Sequence, residues 1–331
     1  MSPEHSAQRD QSPRLAPGET FLQATRIRIG TRGSPLAMAQ AHEVRDRLQR
    51  AHGLPEGAIT ITAIKTTGDQ VTDRPLSDIG GKGLFTKEIE EALLANEIDV
   101  AVHSMKDMQT ALPDGLAVGA VLPREDPRDA FISLKYANLR ALPGGSIVGT
   151  SSLRRKSQLL DVRPDLRVID FRGNVQTRLR KLQEGVAAAT ILAVAGLKRL
   201  GLQNQITAPM PIDEMLPAVA QGAIGLEIRG GDDTTAALVE PLNDAATAQA
   251  VISERAFLAR LEGSCRTPIA GHAALDDGRL WFRGQILSID GTKKYDVSRT
   301  GAPHEAHELG LAAADEILSK ADAAVLARSS A

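Results

Sequence analysis

The chain has 331 residues, 42% of them apolar, and a formal net charge of −2, which is too long for one ordinary core and suits two or three domains. The near-neutral balance supplies no global basic field, and only 3% of residues are aromatic, so no nucleic-acid partner is expected. The longest apolar run, 186–197, falls short of the roughly 20 residues of a spanning helix; no membrane partner and a cytoplasmic location are expected.

Residues 1–25 are rich in Ser, Pro, Gln and charge and lack the apolar stretch of a signal peptide, so they read as a disordered tail. Short β-branched runs then alternate with amphipathic helices, which predicts parallel-type α/β layers. A strand at 26–29 leads into a helix through Arg50, a strand follows at 59–64, and a helix near 86–96 carries Ile89 and Leu93 one turn apart. After a strand at 98–102, Pro123 and Pro127 break the pattern. A second set starts with a strand at 146–149, followed by a helix at 153–160, a strand at 166–170 and a helix from Val175. Its apolar strand at 189–194 suits a buried sheet centre. Pro209, Pro211 and Pro217 mark another crossing, and the strand at 223–228 is expected to return to the first sheet. From Ala245 onward the pattern is helix, lone cysteine, strands at 272–275, 280–289 and 294–299, and a final helix with Leu311, Ala314 and Leu318 on one face. The expected domains are 26–122 with 218–240, 128–217, and a small C-terminal α+β domain over 245–331.

Arginine recurs at strand-to-helix turns. In 30–36, Ser34 is a fair helix cap and Pro35 suits the first helical position, so exposed N–H groups and Arg32 face one anion-sized space. Residues 149–155 repeat the arrangement with Arg154 and Arg155, and 171–178 repeat it with Arg172, Asn174 as cap, and Arg178. Such turns lie at the carboxyl ends of strands, where ligands bind in α/β sheets, so these arginines predict a ligand with several anionic groups. The plain alternative makes each a solvated surface charge. Asp107 is the one acid noted among these loops and suits a developing cation or a proton transfer, unless it merely bonds its own turn. His103 reads as structural. The long polar segment 66–85 reads as a lid or a linker and lacks the P-loop pattern. The run His304-Glu305-Ala306-His307 lacks metal-site spacing and reads as helix surface, so no metal is expected.

Cys265 is the only cysteine. It excludes an internal disulfide and cannot alone build a thiolate zinc site, which leaves an inert buried side chain or a used nucleophile. Arg266 beside it is the kind of neighbour that stabilises a thiolate.

Seven motifs in order, 32–37 (RGSPLA), 81–85 (GKGLF), 101–107 (AVHSMKD), 125–130 (EDPRDA), 149–155 (GTSSLRR), 172–174 (RGN) and 192–200 (LAVAGLKRL), closely resemble the porphobilinogen deaminase, or hydroxymethylbilane synthase, family. The resemblance runs from about Arg26 to the C-terminus. It implies two α/β domains like type II periplasmic binding proteins with a cleft between them, and a monomer. It also implies a dipyrromethane cofactor joined to Cys265 by a thioether, on which four porphobilinogen units are condensed with loss of ammonia before the linear tetrapyrrole is hydrolysed off. Acetate and propionate groups on every ring agree with an arginine-lined cleft. Position by position, the resemblance implies Asp107 as the catalytic aspartate, and Lys106, Ser104, Ser152, Arg154, Arg155 and Arg178 as cofactor contacts. Arg32, Ser34, Arg172, Arg178, Arg199 and Gln221 become substrate contacts, and Lys82 and Phe85 part of a mobile cover. Two other classes compete: a non-catalytic binding protein for a polycarboxylate, which has no need of Cys265, and a cysteine hydrolase, for which His272 is the nearest base in sequence.

Overall fold

The structure, a computed structural model, describes residues 26–70, 83–261 and 268–326. The elements begin with β1 (Ile27–Arg32), α1 (Pro35–His52), β2 (Ile59–Ile64), the short α2 (Thr67–Gln70), α3 (Lys87–Leu94), β3 (Val100–Ser104) and β4 (Leu116–Val121). They continue through β5 (Asp129–Ile132), β6 (Ile147–Gly149), α4 (Leu153–Val162), β7 (Arg167–Ile169), α5 (Val175–Gln183), β8 (Ala189–Ala193), α6 (Val194–Arg199) and β9 (Ala208–Pro209). The last group is β10 (Ile224–Arg229), α7 (Asp233–Val239), α8 (Ala245–Arg260), β11 (Ile269–Asp276), β12 (Arg279–Leu287), β13 (Lys294–Gly301), α9 (Ala306–Lys320) and α10 (Ala323–Leu326).

Two five-stranded sheets share one plan. The first has the order β2-β1-β3-β10-β4 and the second β7-β6-β8-β5-β9. In each, three strands run parallel and the fourth is antiparallel to its neighbours. The antiparallel members, β5 and β10, are the strands by which the chain enters the second sheet and returns to the first. The return of β10 agrees with the sequence reading; the purely parallel layering does not extend to these two strands. Amphipathic spacing places the helices: α1 buries Ala37, Gln40, Ala41, Val44 and Leu48 along one stripe against β1, β3 and β10, whose Ile29, Val100, Val102 and Leu226 form the first core. Phe131, Val148, Leu159 and Ile191 centre the second.

The two crossings run side by side. Leu122 N donates to Ile224 O, Glu125 N to Gly222 O at 3.2 Å, and Arg124 Nε to Gln221 O at 2.8 Å. Gly222 adopts φ 94, and a Cβ there would lie 2.3 Å from Glu125 O, so only glycine allows this approach.

The third sheet, β11-β12-β13, is antiparallel and packs on α8 and α9, with Phe257 and Phe282 ring centroids 5.0 Å apart. The buried face of α9 is Ala306, Leu309, Gly310, Ala313, Ala314 and Ile317; of the expected Leu311, Ala314 and Leu318, Ala314 is central, Leu318 packs at its edge and Leu311 is half-buried. A Cβ at Gly310 would stand 2.1 Å from Ser253 O of α8; backbones this close leave room only for small side chains, and Leu311 and Leu318 move to the flanks.

Glu254 of α8 ties this third unit to the crossings. It is fully buried, and its carboxylate accepts from Arg124 Nη1 at 2.5 Å and Nη2 at 3.1 Å, Ala220 N at 2.5 Å and Ala273 N at 2.7 Å. Burial alone raises its pKa; the Arg124 guanidinium, with His272 Nδ1 3.7 Å away, outweighs that and holds it down at about 2. Removing one partner strands the other charge. Glu254→Ala is therefore expected to lose about 3–5 kcal/mol of stability, read by urea unfolding at neutral pH; a loss below about 1 kcal/mol, the range of an exposed ion pair, would show that Arg124 finds water or another acid instead.

Candidate active site

The carboxyl ends of β1 and β3 build a small recess. Arg32, the last residue of β1, donates from Nε and Nη2 to Asp69 at 3.2 and 2.5 Å. Its guanidinium lies 4.1 Å from the centre of the Phe85 ring, and Nη1 is 4.0 Å from Asp107 Oδ2. Ser34 caps α1, its Oγ accepting from Ala37 N at 3.3 Å, with Pro35 in the first turn as the sequence predicts. Ser104 and Gln40 share hydrogen bonds of 2.8 and 3.1 Å. Arg32, Ser34, Phe85, His103, Ser104 and Asp107 line the recess together. His103 is buried behind it and bonds Glu227 through Nε2 at 3.0 Å, as its structural reading expects.

Next to the recess is a dense group of charges centred on Asp129, the first residue of β5. Asp129 is fully buried and accepts from Arg154 Nη1 at 2.7 Å, from Arg155 Nε and Nη2 at 3.1 and 2.7 Å, and from Gln221 Nε2 at 3.0 Å. Burial opposes its ionisation, but Arg154 and Arg155 outweigh burial and hold it far below the usual carboxylate range. Ser152 caps α4 through Arg155 N at 3.4 Å; the helix start thus turns both arginines inward. Their side chains are only 6% and 7% exposed. Of the five arginines expected at one cleft, Arg154 and Arg155 are turned against the buried Asp129.

Lys106 and Asp107 sit on a single 3-10 turn after β3. Burial lowers the Lys106 pKa, partly offset by Asp107, with Arg155 lowering it further. Arg178, in the first turn of α5, donates from Nε to Gly173 O at 2.8 Å; burial, then repulsion from Arg155, pushes it down to about 10. Arg172 is 3.9 Å from Asp170, and Lys181 donates to its carbonyl. Arg199 is set apart, donating to Glu43 Oε2 at 3.3 Å and Gly222 O at 3.0 Å, so it links α6 to α1 beside the crossings. Lys82 and Cys265 lie outside the described residues. No group of three or more His, Cys, Asp or Glu that could hold a metal occurs among the described residues, and none of their helices is long and apolar enough to cross a membrane.

The family model described as porphobilinogen deaminase, dipyromethane cofactor binding domain, matches residues 27–237, and that of the porphobilinogen deaminase C-terminal domain matches 248–319. The chain belongs to the porphobilinogen deaminase family. It is 58% identical over 297 residues to the porphobilinogen deaminase of Paracoccus denitrificans, covering 90% of this chain and 95% of that one. It is also 58% identical over 301 residues to the chloroplastic porphobilinogen deaminase of Pisum sativum, covering 89% and 82%. A similar solved structure is a putative methionine-binding lipoprotein of Bacillus subtilis, with a TM-score of 0.41 and 11% identity over 65% of this chain and 89% of that one. The fold class is α/β, two units each built on a five-stranded mixed sheet, with a small C-terminal α+β unit.

The charges present suit a porphobilinogen deaminase cofactor that carries carboxylates. Lys106, Arg154 and Arg155 share two carboxylates here, Asp107 and Asp129, and Arg178 adds a further positive charge beside Arg155. Burial is the first cause that lowers Lys106 and Arg178, and repulsion from Arg155 adds to it; further carboxylates relieve that repulsion. Asp129 and Asp69 are the residues sequence reasoning missed. Asp129 stood inside a quoted motif, but the acid that organises a cluster is evident only once β5 brings it against α4.

Because Asp129 titrates far lower in the folded chain than in the unfolded one, its contribution is complete above the ordinary aspartate pKa of about 3.9 and is lost as pH falls through the folded value. Asp129→Asn is expected to cost about 3–5 kcal/mol in urea unfolding at pH 7. The gap to the wild type should shrink as pH is lowered below about 4. A gap independent of pH would mean that the loss is steric rather than ionic.

Proposed function

We infer that the chain catalyses the hydroxymethylbilane synthase reaction, a transfer in which four porphobilinogen units are joined head to tail, one ammonia leaving at each addition, and the linear tetrapyrrole is released by hydrolysis. Its cofactor is dipyrromethane, which when bound supplies the primer on which the chain is started. The family match supports this reading, and one structural observation carries it to residues: the half-buried Asp107 carboxylate stands where the Arg32 recess meets the Asp129 cation group.

In this reading Asp107 presents fixed negative charge to the cation that develops as ammonia leaves, in a place already shaped for it. Lys106, Ser104, Ser152, Arg154, Arg155 and Arg178 hold the primer carboxylates. Asp129 aligns Arg154 and Arg155, and the donors it leaves over meet the acetate and propionate oxygens. Arg32, Ser34, Arg172, Arg178, Arg199 and Gln221 take the incoming ring and the growing product. Arg199 does so from the edge, after yielding Glu43, and Gln221 while bonded to Asp129. Phe85 forms the floor under Arg32, and Lys82 is assigned to the cover on the family resemblance alone. Cys265 is the attachment point, in sequence between α8, which ends at Arg260, and β11, which begins at Ile269. The domains proposed are 26–122 with 218–240, 128–217 and 245–331. A cytoplasmic monomer fits the single cysteine and exposed apolar residues that fall on separate elements, such as Leu94, Leu134 and Ile252.

Two measurements test the reading. The intact mass should exceed that of the bare chain by two linked pyrrole units, rise in single-ring steps with porphobilinogen, and show neither change in Cys265→Ser; an unmodified mass that stays unmodified with substrate would refute it. Asp107→Asn should keep the primer mass while turnover falls by about 10²- to 10³-fold, the range for losing one preorganised electrostatic partner. Near-normal turnover would remove Asp107 from its role.

A further inference from the structure

Arg32, assigned above to the incoming substrate, is already engaged as a carboxylate binder. Two of its nitrogens grip Asp69 in fork geometry, at 3.2 and 2.5 Å. The rest of the local structure holds that acid in place. Thr66 Oγ1 donates to Asp69 Oδ2 at 2.8 Å, and Asp69 N donates to Thr66 O at 3.0 Å. Gly68 N donates to Leu84 O at 2.7 Å. A Cβ on Gly68 would fall 2.3 Å from the Phe85 ring, so only glycine lets the turn lie against the aromatic floor beneath Arg32. Thr67 N donates to Glu88 of α3 at 2.9 Å. Asp69 is thus a fixed feature of the recess and not a surface acid that happens to reach an arginine.

The geometry points to Asp69 as an internal stand-in for a substrate carboxylate: it occupies the guanidinium edge of Arg32 until an arriving acetate or propionate displaces it, so each substrate carboxylate binds Arg32 by exchange rather than by addition. This rests on the reading that Arg32 receives porphobilinogen. Burial works against the ionised form of Asp69, but hydrogen bonds from Arg32 and Thr66 prevail and hold its carboxyl below the usual range, so the competitor stays charged at neutral pH. The cost of exchange is modest because the pair is partly in water, with side-chain exposures of 22% and 30%. Asp107, 4.0 Å away, is the other acid facing Arg32. It keeps the guanidinium from being left wholly unpaired during the exchange.

The roles of competitor and of mere support predict opposite signs. If Asp69 competes, Asp69→Asn removes a rival anion while leaving a side chain of the same shape. The KM for porphobilinogen should then fall by about two- to five-fold, the equivalent of a partly exposed ion pair. In rapid-quench mass spectra, the porphobilinogen concentration that half-converts the primed protein to its one-ring adduct should fall by the same factor. Asp69→Glu, which keeps the charge, should stay near the wild type. A KM and half-conversion concentration equal to or above the wild-type values, in protein that carries the primer mass, would overturn the exchange and leave the proposed function standing. Failure of wild-type and variant alike to take up any ring would overturn both.

Discussion

Asp129 carries more of this structure than its size suggests. Its two oxygens receive Arg154, Arg155 and Gln221 in a place closed to solvent, and the donors come from two parts of the chain: two from the start of α4, one from the crossing that returns to the first sheet. Desolvating one carboxylate and two guanidiniums is unfavourable unless nearly every polar valence is used. Here the use is dense, since Arg154 also donates to Leu216 O and Arg155 to Ile191 O. A set of this kind tolerates little displacement, so it fixes α4, β5, β8 and the crossing against one another before any ligand arrives.

That fixed point is extended by covalently continuous neighbours. Gln221 bonds Asp129 through its side chain and accepts Arg124 through its carbonyl; Arg124 reaches Glu254 of α8; and Glu254 accepts from Ala220, a non-glycine residue at φ 59. Left-handed backbone at alanine is unfavourable by roughly 1–2 kcal/mol, and the charge-assisted bond from Ala220 N offsets it. Two buried acids, Asp129 and Glu254, therefore hold opposite ends of one short segment, 220–221. The helix that leads toward Cys265 and the arginines proposed to hold the primer are aligned through that segment rather than by direct contact.

Much of this was legible in the sequence because the relevant signals are local. Ser34, Ser152 and Asn174 cap the helices that follow β1, β6 and β7, and their side chains accept from N–H groups in the first helical turn. The return strand at 224–229 was recognisable from its apolar run. What stayed hidden depends on distance. Nothing near Asp129 in sequence says that it meets arginines 25 and 26 residues away, and nothing near Asp69 says that it meets Arg32. The α9 face was only partly legible, for a related reason. Helical periodicity finds which residues share a side, whereas the neighbour's backbone at Ser253 decides which side can come closest.

The arginines form a graded series, and the grading bears on how one site can hold a primer and pass a chain along. All of them have internal acidic or carbonyl partners, but the partners differ in exposure. Arg154 and Arg155 pair with an acid wholly out of water; separating them strands charge in a low dielectric, so they stay where they are and can bind only with whatever donors Asp129 leaves over. Arg32 pairs with Asp69 at the edge of water, and Arg199 with the 29% exposed Glu43; there, water and salt make up most of what is lost when partners change. In the proposed reading, Arg154 and Arg155 are the permanent holders at the dry end, and Arg32 and Arg199 the exchangeable ones at the wet end. A polymer that must be retained at one end and advanced at the other needs that order of affinities, and burial alone is enough to produce it from a single residue type.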